Sequence, residues 1–137
     1  MKRAALLAAV TVLALVGAGC MDTIIKPMGA ENNPVVTVLP DSFRYQADNM
    51  DNVHDEMQWT WVNTGTQAIV HHHSFVHHGV VQVTILDAVG DSVYRRIPVE
   101  YELDVPTDVG MAGNWTVHLQ FFGAKGRVDV AIARTTP

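Results

Sequence analysis

The stretch "NWTVHLQFFGAKGRVDVAI", residues 114–132, decides the fold. Trp115, Val117, Leu119 and Phe121 alternate with Thr116, His118 and Gln120. That period of two sends successive side chains to opposite faces of a β-strand. After residues 123–126, which hold two glycines, Val128, Val130 and Ile132 resume the alternation. The pattern predicts a hairpin that turns at 123–126 and keeps its apolar residues on one face.

The same reading extends to most of the chain. In "DSFRYQA" (41–47) Phe43, Tyr45 and Ala47 alternate with polar residues, and in "EMQWTWVNTG" (56–65) Met57, Trp59 and Trp61 do so. "VVQVTILDAVGDSVY" (80–94) places Val81, Val83 and Ile85 on one face, turns at 87–91 and returns through Val93. "VEYELDV" (99–105) alternates Tyr101, Leu103 and Val105 with acids. No stretch after residue 20 sustains helical spacing, and there is no internal repeat. Many short strands with one apolar face predict an all-β fold in which two antiparallel sheets pack together, an Ig-like or jelly-roll-like β-sandwich spanning residues 35–137.

The first twenty residues read differently. "MKRAALLAAVTVLALVGAGC" has two basic residues, an uncharged apolar run and then small residues, the layout of an export signal helix rather than a membrane span. Its end, "LVGAGC", resembles the bacterial lipobox, in which a cysteine after small residues is lipidated and becomes the new N-terminus. Cys20 is the only cysteine of the chain, so no intrachain disulfide competes for it. Residues 1–19 are then a signal peptide and Cys20 a lipid anchor in the bilayer, held firmly because several acyl chains act together. Ordinary cleavage after Gly19, leaving a free thiol, is the alternative. Met21 is not the aspartate that marks inner-membrane retention in some bacteria, so the resemblance implies an outer-membrane lipoprotein facing the periplasm or the cell surface. "MDTIIKPMGAENNP" (21–34) lacks any period and reads, from residue 20 to 34, as a flexible tether.

Loss of residues 1–19 leaves 118, enough for one domain with a real core. Basic residues fall from nine to seven against 14 acids, a net charge of −7 with no basic cluster, which argues against nucleic acid as a partner. The stretches "GVVQVTILDAVGDSVY" (79–94) and "GMAGNWTVHLQFFGAKGRVDVAI" (110–132) resemble small sandwich modules of exported bacterial proteins, including the pre-peptidase C-terminal type. Those modules share a strand ending in aspartate, a glycine turn and a returning strand, then a strand with an aromatic residue paired through a glycine turn with the last one. The resemblance implies a non-catalytic binding or structural module, whose partner is an envelope protein or a polysaccharide. It carries over no functional residue.

Chemistry is suggested at one place. "AIVHHHSFVHHG" (68–79) holds five of the seven histidines. On a strand, His71 and His73 share a face with Ile69 and Phe75, while His72 lies opposite with Ala68, Val70 and Ser74. Two imidazoles two residues apart on a strand are the minimum of a zinc or copper site. Three or four protein ligands are normally needed, so the others must come from His77, His78, His118 or a carboxylate. Gly79 is expected to mark a turn that frees His77 and His78, and His118 is expected to point outward on its strand. The cluster lacks the glutamate that follows "HxH" in a cupin-like site, and Cys20 lies too far away for a blue-copper site. A polar surface without a specific role and a pH-responsive patch are the other readings. The acidic bend "DNMDNVHDE" (48–56) lacks the glycine and spacing of a calcium loop and is expected to be solvated. No G-x-S-x-G, H-E-x-x-H, P-loop or dinucleotide fingerprint is present, so the expectation is a protein that is not an enzyme.

Overall fold

The computed structural model describes residues 24–97 and 102–136, with no side chain described between 98 and 103. The expected signal peptide, Cys20 and Tyr101 fall outside this range. Among the described residues, seven strands form one antiparallel sheet: β1 (Val35–Leu39), β2 (Ser42–Asn63), β3 (Ala68–His73), β4 (Phe75–Leu86), β5 (Ser92–Arg96), β6 (Glu102–Pro106) and β7 (Gly113–Arg134).

The expected hairpin at 123–126 does not exist, because β7 is a single strand of 22 residues. Its first arm pairs with the second arm of β2, Trp59 opposite Val117, and its second arm with the first arm of β2, Tyr45 opposite Val130. Gly123 (φ 62) and Gly126 (φ 124) supply positive-φ kinks that bend the strand without reversing it. β2, also 22 residues long, bends alongside through register shifts between Ala47 and Asp55, with Asn49 and Asn52 at φ 49 and 56. Since the two neighbours bend together, the hydrogen-bond ladder runs on round the corner. The two strands expected at 41–47 and 56–65 are therefore arms of one. The glycine turn in the second half of the family resemblance is likewise a bend.

The third long element follows the same course. β3 and β4 are separated by Ser74 alone, and both run antiparallel to β7. Gly79, expected at a turn, lies inside β4 at φ 70. A Cβ there would lie 2.1 Å from the Gly123 carbonyl oxygen, and one on Gly126 would lie 2.0 Å from that of Phe75. Only glycine permits so close a backbone approach. The hairpin expected across 87–91 is present, with Ile85 opposite Tyr94.

Three bent elements thus fold the sheet into two layers, a β-sandwich made from one sheet rather than two. One layer is ordered β1-β2-β7-β3-β6, and the other contains the second arm of β2, the first arm of β7, β4 and β5. Apolar parity decides what lies between them. Phe43, Tyr45, Val130 and Ile132 come from one layer and Trp61, Trp115, Val117, Leu119 and Ile85 from the other, all essentially buried. Trp61 and Trp115 meet edge to face at 5.7 Å between ring centroids.

β1 is the exception. Val36 and Val38 stand opposite Tyr45 and Phe43, on the core side of the layer, yet they are 44% and 41% exposed. The facing layer ends at the folded-back arm of β2, so β1 overhangs the sandwich.

Candidate functional site

The histidine stretch follows the expected strand parity, and the parity settles which residues face solvent. His72 is buried with Ala68, Val70 and Ser74, whereas His71 and His73 lie on the outer side of their layer. Asp104 of β6, directly opposite His71, places a carboxylate oxygen 2.5 Å from its Nδ1. Asp129 of β7 anchors the same outer face through paired bonds from Arg44 Nε (3.0 Å) and Nη2 (2.8 Å) and one from Gln46 (3.0 Å). Burial works against the Asp129 carboxylate, but these donors and the nearby His73 hold its pKa below the ordinary value.

His72 reaches across the core to β5. Its Nε2 is hydrogen-bonded to the Tyr94 hydroxyl and the rings stack at 5.9 Å, while Nδ1 is buried without a partner among the described residues. Burial, then Arg96 and His71, lower the His72 pKa to about 4, so the ring is neutral near pH 7. Burial also raises the Tyr94 hydroxyl to about 12. This histidine is a core residue and no surface ligand.

His118 points outward as expected, but on the other layer. It stands between Gln58 and Thr84 and bonds Glu56 Oε1 at 2.7 Å, on the first arm of β7. His71 stands opposite Ala131 on the second arm, beyond the corner. The fold separates the two. His77 and His78 are exposed at the corner, where His77 packs on Phe75 at 5.7 Å between ring centroids and lines an open groove of about 360 Å³ with Asp48 and Arg127. Among the described residues, no group of three or more His, Cys, Asp or Glu side chains is placed to hold a metal ion.

The acidic bend is not a solvated loop but the corner of β2, and its carboxylates have partners. Asp51 pairs with Lys26 and Lys125, each at 3.2 Å, and bonds from Lys125 and then Lys26 lower its pKa. Asp55 accepts the Met28 amide at 2.8 Å. Lys26 also exchanges backbone bonds with Asn52 and His54, and the buried Asn32 donates to the Asn49 carbonyl. Residues 26–32 of the expected tether are therefore fastened to the corner.

Two features escape the sequence reading. Asp87 accepts the amides of Val89, Asp91 and Met111 at 2.7–3.0 Å, closing the β4–β5 turn and fastening the approach to β7 to it. An aspartate four residues before another in a glycine turn is the signal for it. β1, "VVTVL", lacks alternation and so offers no face to assign. Its Val35, Val36, Val38 and Leu39 are 41–56% exposed, and among the described residues it pairs with β2 alone.

No protein-family model and no curated protein matches the chain. Among solved structures, one titled "Structure of infectious bursal disease virus Gt strain" aligns with 76% of this chain at 12% identity and a TM-score of 0.33. The chain spans 32% of the length of that protein.

Proposed function

We propose that the chain is an exported, lipid-anchored module of a bacterial cell envelope that acts by binding, through the open edge of β1, and carries no catalysis of its own. The observation that carries this reading is the overhang of β1, whose aliphatic side chains are exposed on both faces of a strand with one edge unpaired among the described residues. Such an edge is a template for adding a strand, and proteins usually blunt theirs with charge. β1 has none. The layout of residues 1–20 supports the anchor. With residue 26 fastened to the corner, five residues separate it from Cys20, and the six steps of chain between them reach at most about 20 Å, so the domain stands close to the bilayer. For the zinc or copper alternative, His71 and His73 share a face, but no group of three or more ligands is assembled there among the described residues.

A photo-crosslinking residue placed at Val36 or Val38 in producing cells should give adducts of discrete mass, and one at the outward Gln58 should not. Equal labelling at all three positions would remove β1 from the reading. Fatty-acid labelling that Cys20→Ser abolishes is the result expected for the anchor, and an unlabelled wild-type chain contradicts it.

A further inference from the structure

We infer that the strand added to β1 is the β1 of a second copy, making a twofold dimer; the inference rests on the binding role proposed for this edge. The sequence "VVTVL" is nearly the same read in either direction in chemical terms: two aliphatic residues, Thr37, two aliphatic residues. Antiparallel pairing centred on Thr37 sets Thr37 against its own copy, Val36 against Val38 and Val35 against Leu39. That is the self-complementary arrangement a twofold axis requires. The ends match as well. Pro34 and Pro40 flank the strand, and in this register each faces the other. Neither proline has an amide to extend the ladder, so pairing stops at the same place on both chains. Asn33 (φ 46) and Asp41 (φ 61) then turn each chain away.

Composition favours a like partner over a charged one. No acidic or basic residue lies between Val35 and Leu39, so the edge offers an ionic partner no complement. Val36 and Val38 face the core side without a covering layer, and a second copy brings the same two valines to the same side. Pairing would join the two five-stranded layers edge to edge and continue the apolar strip across the axis.

The test uses the full chain carrying Thr37→Cys, exposed to a mild oxidant, with the linked peptides identified by mass spectrometry. Residues facing each other across antiparallel strands have Cα atoms roughly 4.5–5.5 Å apart, within disulfide range. A disulfide joining the two introduced thiols in most of the chains is expected. Val35→Cys alone should give none, because in this register its own copy lies about 13 Å away along the strand. A Thr37→Cys chain that stays monomeric, or a Val35→Cys chain that links as readily, overturns the inference. Adducts from Val36 in cells that contain only a different protein also overturn it, while leaving the binding role of the edge intact. Absence of any adduct removes both.

Discussion

Tyr45 and Trp59 lie on the same β-strand, yet their rings meet at 5.0 Å between centroids. β2 folds over itself, and Trp59 also touches Phe43 at 5.6 Å. The contact closes the two layers on one side and fixes where the facing layer ends, which is what leaves β1 uncovered. Trp59→Ala is therefore expected to cost about 3 kcal/mol, at the low end for a truncated tryptophan because the ring is only partly buried. Urea denaturation should show the loss, and Thr60→Ala, exposed on the same arm, should change stability by no more than about 0.5 kcal/mol.

A turn glycine and a corner glycine separate two costs of a side chain. Gly90 has φ 92 and nothing within 4 Å of a Cβ, so Gly90→Ala should cost about 1 kcal/mol of backbone strain. Gly126 has φ 124 and a carbonyl oxygen 2.0 Å from that position. Gly126→Ala should therefore cost about 3 kcal/mol or more, since the β4–β7 ladder must part. Thermal melts of the two variants check the order.

Acidification should act first through His72. Its folded pKa, about 4, lies below the ordinary 6.5, so the unfolded chain takes up a proton that the folded chain refuses. The contribution is full above pH 6.5 and is lost as pH falls toward 4, about 3 kcal/mol in all. Asp51, Asp87 and Asp129, whose pKa values are lowered, lose their contributions only below the ordinary carboxylate value of 3.8. Denaturation at a series of pH values should show stability falling between 6.5 and 4 in the wild type and a flatter profile in His72→Gln.

Zinc titration tests the histidine surface. His71 and His73 share an outer face, and His118 stands on the other layer beside Glu56. Calorimetry should give weak binding that His118→Ala leaves unchanged. A tight stoichiometric site lost in that variant contradicts the separation of the layers.

Residue parity was legible nearly throughout. The burial of Trp61, Trp115, Val83 and Val130, the placing of His72 on the face opposite His71 and His73, and the outward His118 follow from alternation alone, because one-sided burial forces it. What alternation does not encode is whether a glycine bends a strand or ends it. Gly79, Gly123 and Gly126 bend theirs because β2, β4 and β7 kink at the same level and keep their pairing, a property of three distant segments together. For the same reason the place of His118 relative to His71 was hidden. β1 was missed because it buries neither face, and so carries no alternation to read.

The open edge is tested most directly by amide hydrogen exchange across β1, comparing the full chain in membranes of producing cells, where the proposed anchor would hold it, with the same chain diluted in detergent. Protection of residues 35–39 in the membrane, lost on dilution while β7 stays protected, is the expected result. Equal exchange of β1 in both states would contradict the claim that this edge is where the protein binds.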